Sequence, residues 1–114
     1  MARARQLLLG LAGVEEGLSY GMPSFKVGGR FFARFRDDTV LVLQLANLGD
    51  REVLLALNPR AFFFTDHYRS YPAVLIRLAE IPIALLASAV SDAHLHALAR
   101  KPARAFQPRR RRPR

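Results

Sequence analysis

A chain of 114 residues, 51% of them hydrophobic, has enough apolar surface for a single core in one domain. It contains no cysteine, which excludes disulfides, thiolate catalysis and cysteine-ligated metal and suits a reducing cytoplasm. The net charge of +9 is unevenly placed: residues 1–99 hold ten Arg or Lys against nine Asp or Glu, whereas residues 100–114 hold eight basic residues and no acid. The body of the chain is therefore nearly neutral, and the basicity belongs to its C-terminal end.

The start, Met1-Ala-Arg-Ala-Arg-Gln-Leu-Leu-Leu-Gly-Leu-Ala-Gly13, has the basic-then-apolar order of a signal peptide. Leu7, Leu8, Leu11 and Val14, however, recur at helical spacing and predict an amphipathic helix from about Arg3 to Ala12, packed on a domain. Val14-Glu-Glu-Gly17 then reads as a connector. Gly21 and Pro23 signal a turn before a strand at about Ser24–Val27. Gly28-Gly29 makes a hairpin turn into a second strand, Arg30–Arg36, and Asp37-Asp38 turns the chain again. Thr39–Leu45 is apolar at nearly every position, as expected of a central strand.

Asp50 is a candidate N-cap for a short helix that Pro59 ends, with Val53, Leu54 and Leu57 on its buried side. Phe62–Thr65 and Ala73–Leu78 read as two further strands. A last helix starts near Pro82 and runs to about Arg100, with His94 on its packed stripe and His96 pointing outward. The longest apolar run, Ile81 to Val90, contains Pro82 and falls well short of the roughly 20 residues of a bilayer span. Beyond Pro102 the composition cannot bury enough surface to order itself, so residues 1–101 form the domain and 102–114 a disordered basic tail. The order α-β-β-β-α-β-β-α predicts an α+β two-layer sandwich: an antiparallel sheet of about five strands with helices mainly on one face.

Register decides what the open face of that sheet carries. A two-residue Gly28-Gly29 loop pairs Val27 with Arg30 and mixes Lys26 into the face of Phe31. A three-residue loop with a bulge pairs Val27 with Phe31 and Phe25 with Ala33. The second register places Phe25, Val27, Phe31, Ala33 and Phe35 in the core and leaves Lys26, Arg30, Arg34 and Arg36 around Phe32 on the open face, and the pattern favours it.

Two segments carry candidate chemistry. The basic strand face can meet phosphates while Phe32 touches a sugar or base, although a solvated, charged sheet face has the same pattern. The segment Thr65-Asp-His-Tyr-Arg-Ser-Tyr-Pro72 gathers an acid, an imidazole, two phenols and a guanidinium. Adjacent Asp66 and His67 do not share a strand face, so a base–orienter pair is disfavoured against a structured loop in which Asp66 caps amides and Tyr68 and Tyr71 cover the sheet edge. Asp92, His94 and His96 have the wrong spacing for one helix face, and no phosphate loop or zinc motif occurs, so no metal and no cofactor is expected. In the tail, the consecutive Arg109, Arg110, Arg111 and Arg112 would bind polyanions without specificity.

Ser19-Tyr-Gly-Met-Pro-Ser-Phe-Lys-Val-Gly-Gly-Arg-Phe-Phe-Ala-Arg34 and Thr65–Pro72, supported by Gly13–Gly17 and Ala73–Leu78, resemble the MmcQ/YjbR family over about residues 3–101. The resemblance implies a CyaY-like fold with a double-wing arrangement of strands and a DNA-binding role; it brings no catalytic residues. The resulting expectation is a small non-enzymatic DNA-binding protein, a monomer, contacting duplex phosphates without sequence preference. Lys26, Arg30, Arg34, Arg36 and Arg69 of the domain, with Arg109, Arg110, Arg111 and Arg112 of the tail, would make those contacts. The alternative is a protein-interaction or small-ligand module whose pocket uses Tyr20, Phe32, Asp66, His67, Tyr68 and Tyr71.

Overall fold

The computed structural model describes residues 1–100. The tail expected to contact nucleic acid, with Arg109, Arg110, Arg111 and Arg112, lies outside the described residues. The chain runs α1 (Ala2–Leu9), β1 (Val14–Ser19), β2 (Met22–Val27), β3 (Arg30–Phe35), β4 (Val40–Gln44), α2 (Leu48–Leu57), β5 (Phe62–Phe63), β6 (Ala73–Arg77) and α3 (Ile83–Ala99). The strands form one antiparallel sheet in the order β1-β2-β3-β4-β6-β5. This is the expected α+β architecture with a sixth strand.

The added strand is β1, at the residues read as a connector. Glu15, Glu16 and Gly17 hide it from any periodicity rule, because its support comes from its partner and not from its own burial. Glu15 lies opposite Lys26, and Glu16, opposite Phe25, takes an ion pair from Arg5 of α1 at 2.8 Å. The β1–β2 loop is Tyr20-Gly21, with both residues at positive φ (54° and 78°), as a two-residue hairpin of the I′ kind requires.

The β2–β3 hairpin keeps the expected Phe25–Ala33 pair and corrects the expected loop. Its loop has two residues, Gly28 and Gly29, both at positive φ, and Val27 pairs with Arg30. The irregularity comes later. Lys26 pairs with Phe31 and Phe25 with Ala33, so Phe32 is the extra residue of a bulge. The two phenylalanines therefore exchange places relative to expectation. Phe32 is fully buried, edge-on to His94 with ring centroids 5.9 Å apart, while Phe31 is half-buried on the opposite face.

Helices α1 and α3 cover one face, and Leu8, Phe25, Phe32, Phe35, Leu41, Leu43, Phe62, Val74, Ile76, Leu86 and Val90 pack between them and the sheet. His94 is buried as expected and its Nε2–H donates to the Ala12 carbonyl at 2.7 Å. His96 is half-buried.

In α2, Asn47 and not Asp50 is the N-cap, its Oδ1 accepting the Asp50 amide at 2.8 Å. The buried side also differs. Val53 and Leu57 are 65% and 63% exposed, and Arg51 is buried at 4% with Leu54 and Leu55 beside it. The helix turns this way because a guanidinium is needed beneath the loop that follows β5.

Candidate functional site

The sheet face away from α1 and α3 holds a second, smaller apolar cluster. Val40, Val42, Ala73 and Leu75 are buried there, with Phe63 and Tyr68 packed against them. Across this face the pairing runs Ser24, Arg34, Val42, Leu75, Phe63. The centre is apolar because the β5–β6 connection folds over it.

That connection is built on one side chain. Arg51 Nη1 donates to the carbonyls of Tyr68 (2.8 Å), Tyr71 (3.0 Å) and Ala73 (3.2 Å), and Nη2 to that of Arg69 (3.0 Å). Its guanidinium also lies 3.9 Å from the Phe64 ring centroid. A buried cation is tolerable only when most of its donors are answered, and here carbonyls answer both Nη groups in place of a carboxylate, while Nε is buried without a hydrogen-bond partner among the described residues. In return, carbonyls that the loop would otherwise leave without partners are satisfied. A 3-10 turn at Asp66–Tyr68 and the Leu45 amide bonded to the Pro72 carbonyl at 2.6 Å complete the loop.

Between this loop and the β1–β2 hairpin lies a cavity of about 530 Å³, lined by Tyr20, Phe31, Arg34, Val42, Gln44, His67, Tyr68, Tyr71, Pro72 and Ala73. Arg34 connects its two walls. Its Nη2 donates to the Tyr68 hydroxyl from one side, and its guanidinium lies 5.4 Å from the Tyr20 ring centroid on the other. Among the described residues no carboxylate pairs with Arg34. Tyr20 is held there by a left-handed backbone, which a bulky residue adopts only against a steric penalty. Tyr20 and Tyr71 are 91% and 62% exposed. The groove thus combines aromatic rings, the Arg34 cation and the Gln44 amide, a set that stacks on a planar group, attracts a negative one and hydrogen-bonds a polar edge.

The structure therefore brings together Tyr20, Arg34, His67, Tyr68 and Tyr71. Phe32, expected beside them, is in the core, because the bulge turns it to the helix side. The five basic residues of the domain expected to share a surface have separate partners. Lys26 faces Glu15 across the strands, Arg36 pairs with Asp37 at 3.3 Å, and Arg69 pairs with Asp66. Arg30 Nη1 donates to the Gly28 carbonyl at 3.2 Å. Asp66 consequently serves Arg69 and not backbone amides, and His67 meets the Tyr68 ring edge-on at 4.9 Å rather than an orienting carboxylate. The other four expected contacts, Arg109, Arg110, Arg111 and Arg112, fall outside the described residues.

Arg51, Phe31 and Gln44 are contributors the sequence reading missed. A signal for Arg51 existed: Arg51, Leu54, Leu55 and Asn58 have the i, i+3, i+4, i+7 spacing of one helix stripe. Among the described residues no group of three or more His, Cys, Asp or Glu could hold a metal ion, and no helix is long and apolar enough to cross a membrane.

The YjbR family model matches residues 9–96, a stretch that includes the hairpin, the groove and most of α3. The chain belongs to the YjbR family. Relatives of this YjbR chain include uncharacterized proteins Rv2570 and MT2646 of Mycobacterium tuberculosis and Mb2600 of Mycobacterium bovis. Each is 36% identical over 56 residues, which cover 49% of this chain and 43% of the relative. The chain thus matches less than half the length of those relatives. No solved structure matches.

Proposed function

We propose that this YjbR-family domain is a non-catalytic nucleic-acid-binding module that receives unpaired bases in the aromatic groove. The basic tail, through Arg109, Arg110, Arg111 and Arg112, adds affinity for the backbone without sequence preference. The observation that carries this reading is Arg34: a guanidinium without a carboxylate partner among the described residues, fixed between Tyr20 and Tyr68 in a groove walled by Phe31 and Tyr71. Aromatic rings on an open sheet face stack on bases whatever their identity, and a cation among them meets the phosphate that accompanies each base. A duplex offers no free base face to such a groove. With residues 1–99 at a net +1, the long-range field that steers a polyanion to a folded surface is weak.

The test is fluorescence anisotropy with a labelled single strand and the duplex of the same sequence, on the full chain and on residues 1–101. The expected result is that residues 1–101 prefer the single strand and lose it in Arg34→Gln and Tyr71→Ala. Equal binding of single strand and duplex, unaffected by both substitutions, would refute the groove as the site.

A further inference from the structure

Arg100 ties the end of α3 to β3 next to Arg30, and neither arginine has a paired acid among the described residues. Arg100, the C-cap residue of α3, donates Nη2 to the Phe31 carbonyl at 2.6 Å. Arg30, the first residue of β3, folds back so that its Nη1 reaches the Gly28 carbonyl. Each guanidinium keeps one buried nitrogen without a hydrogen-bond partner among the described residues: Nε of Arg30 and Nη1 of Arg100. Neither side chain has an ion pair with Asp or Glu among the described residues.

Such an arrangement is unfavourable by itself. Unanswered buried donors are penalised, and two like charges brought close together repel. Burial, and after it the Arg30 charge, holds Arg100 below the usual guanidinium range. The Phe31 carbonyl eases the Arg100 charge, but it leaves the open nitrogens of both residues unanswered. A tetrahedral oxyanion has the missing properties: negative charge to offset both cations, and several acceptor oxygens that can take an N–H from each of two planar guanidinium forks.

We infer that Arg30 and Arg100 form a two-guanidinium site for a phosphate-class oxyanion where the β2–β3 loop meets the end of α3. The site does not rest on the nucleic-acid reading, because it requires only the phosphate group. That group can come from free phosphate or from a phosphodiester, and the second source would fit a strand whose base enters the groove, since Arg100 holds the carbonyl of the groove residue Phe31.

Thermal unfolding of the full chain in sodium phosphate, against sodium chloride at matched ionic strength and pH, tests the site. The expected outcome is a saturable, phosphate-dependent rise in Tm of about 5 °C at tenfold above the half-saturating concentration. Arg30→Gln and Arg100→Gln should each abolish it, and Arg69→Gln and a variant with Arg109, Arg110, Arg111 and Arg112 all replaced by Ala should retain it. In parallel, the Arg30 Nε–H resonance should shift with inorganic phosphate. A short single-stranded oligonucleotide that shifts the same signal would assign the natural source to a phosphodiester; no shift with it, beside a response to phosphate, would assign free phosphate. Equal effects of phosphate and chloride, or a phosphate effect that survives Arg30→Gln with Arg100→Gln and vanishes in the tail variant, would overturn the inference. Failure of the groove would show instead as single-strand affinity that Arg34→Gln and Tyr71→Ala leave unchanged.

Discussion

Tyr20 lies in the β1–β2 loop and Arg34 inside β3, yet the Tyr20 ring centroid lies 5.4 Å from the Arg34 guanidinium, and the backbone that holds the tyrosine there has φ 54°. A tyrosine in that conformation gives up local stability for position. Asparagine adopts the left-handed region readily and, followed by Gly21, makes the preferred residue pair of this turn. Tyr20→Asn should therefore stay within about 1 kcal/mol of the natural chain in urea unfolding, because relieved strain offsets a lost surface cation–π contact. Its affinity for a single strand should fall roughly tenfold, the scale of one lost base–aromatic stack. Unchanged affinity would remove Tyr20 from the site.

The exchanged phenylalanines separate core from groove. Phe32→Ala should destabilise by about 3–5 kcal/mol, as expected for truncating a fully buried ring. Phe31→Ala, at a half-buried position lining the groove, should destabilise by about 1 kcal/mol and weaken ligand binding. Chemical denaturation of both variants checks the bulge: the reverse ranking would mean that Phe31 occupies the core.

Arg51→Met preserves much of the side-chain length and removes every donor to the carbonyls of Tyr68, Arg69, Tyr71 and Ala73. A loss on the order of 2–4 kcal/mol is expected, from carbonyls left without partners. Arg51→Lys should recover only part of it, since an ammonium cannot reproduce the planar fork. Hydrogen exchange should localise the change to residues 64–73. Global loosening with no excess in that segment would contradict the assigned role.

Asp37 provides a pH test. Its Oδ1 accepts from the Thr39 hydroxyl (2.6 Å), the Thr39 amide (2.8 Å) and the Val40 amide (3.0 Å). The Thr39 hydroxyl first, then its amide, and to a lesser degree Arg36, hold the carboxyl below its ordinary value against a small opposing effect of burial. A folded pKa below the unfolded one means a contribution that is complete above the unfolded value, about 4, and lost as pH falls through the folded value. The Tm difference between the natural chain and Asp37→Asn should thus be largest near neutrality and shrink below about pH 4. A difference constant across that range would rule out the carboxylate as its source.

Deleting residues 102–114 removes six arginines, Arg109, Arg110, Arg111 and Arg112 among them. If all six engage a single strand, the slope of log affinity against log salt should flatten by about 4 units, while the preference for single strand over duplex remains. Anisotropy across a salt series measures both. Loss of the preference together with the slope would place all nucleic-acid binding in the tail.

Local pattern in the sequence was enough for the elements that bury themselves. The alternation in β2, the apolar run of β4, the glycines at 28 and 29 and the stripe of α3 with His94 each report a face or turn fixed by a few neighbouring residues. The near-neutral body and basic end are likewise properties of the sequence alone. Only the tertiary structure decided that Glu15 and Glu16 lie in a strand, because an edge strand of this kind is stabilised by its partner's backbone and by Arg5 from α1. It also decided between Phe31 and Phe32. A single bulge reverses the faces of a strand, and whether one forms depends on which side His94 and the helices occupy, information that lies some sixty residues further along the chain. Arg51 is the same case in a helix. Its burial is favourable only because a loop 17 to 22 residues away turns four carbonyls toward it, and that convergence exists in no local window of sequence.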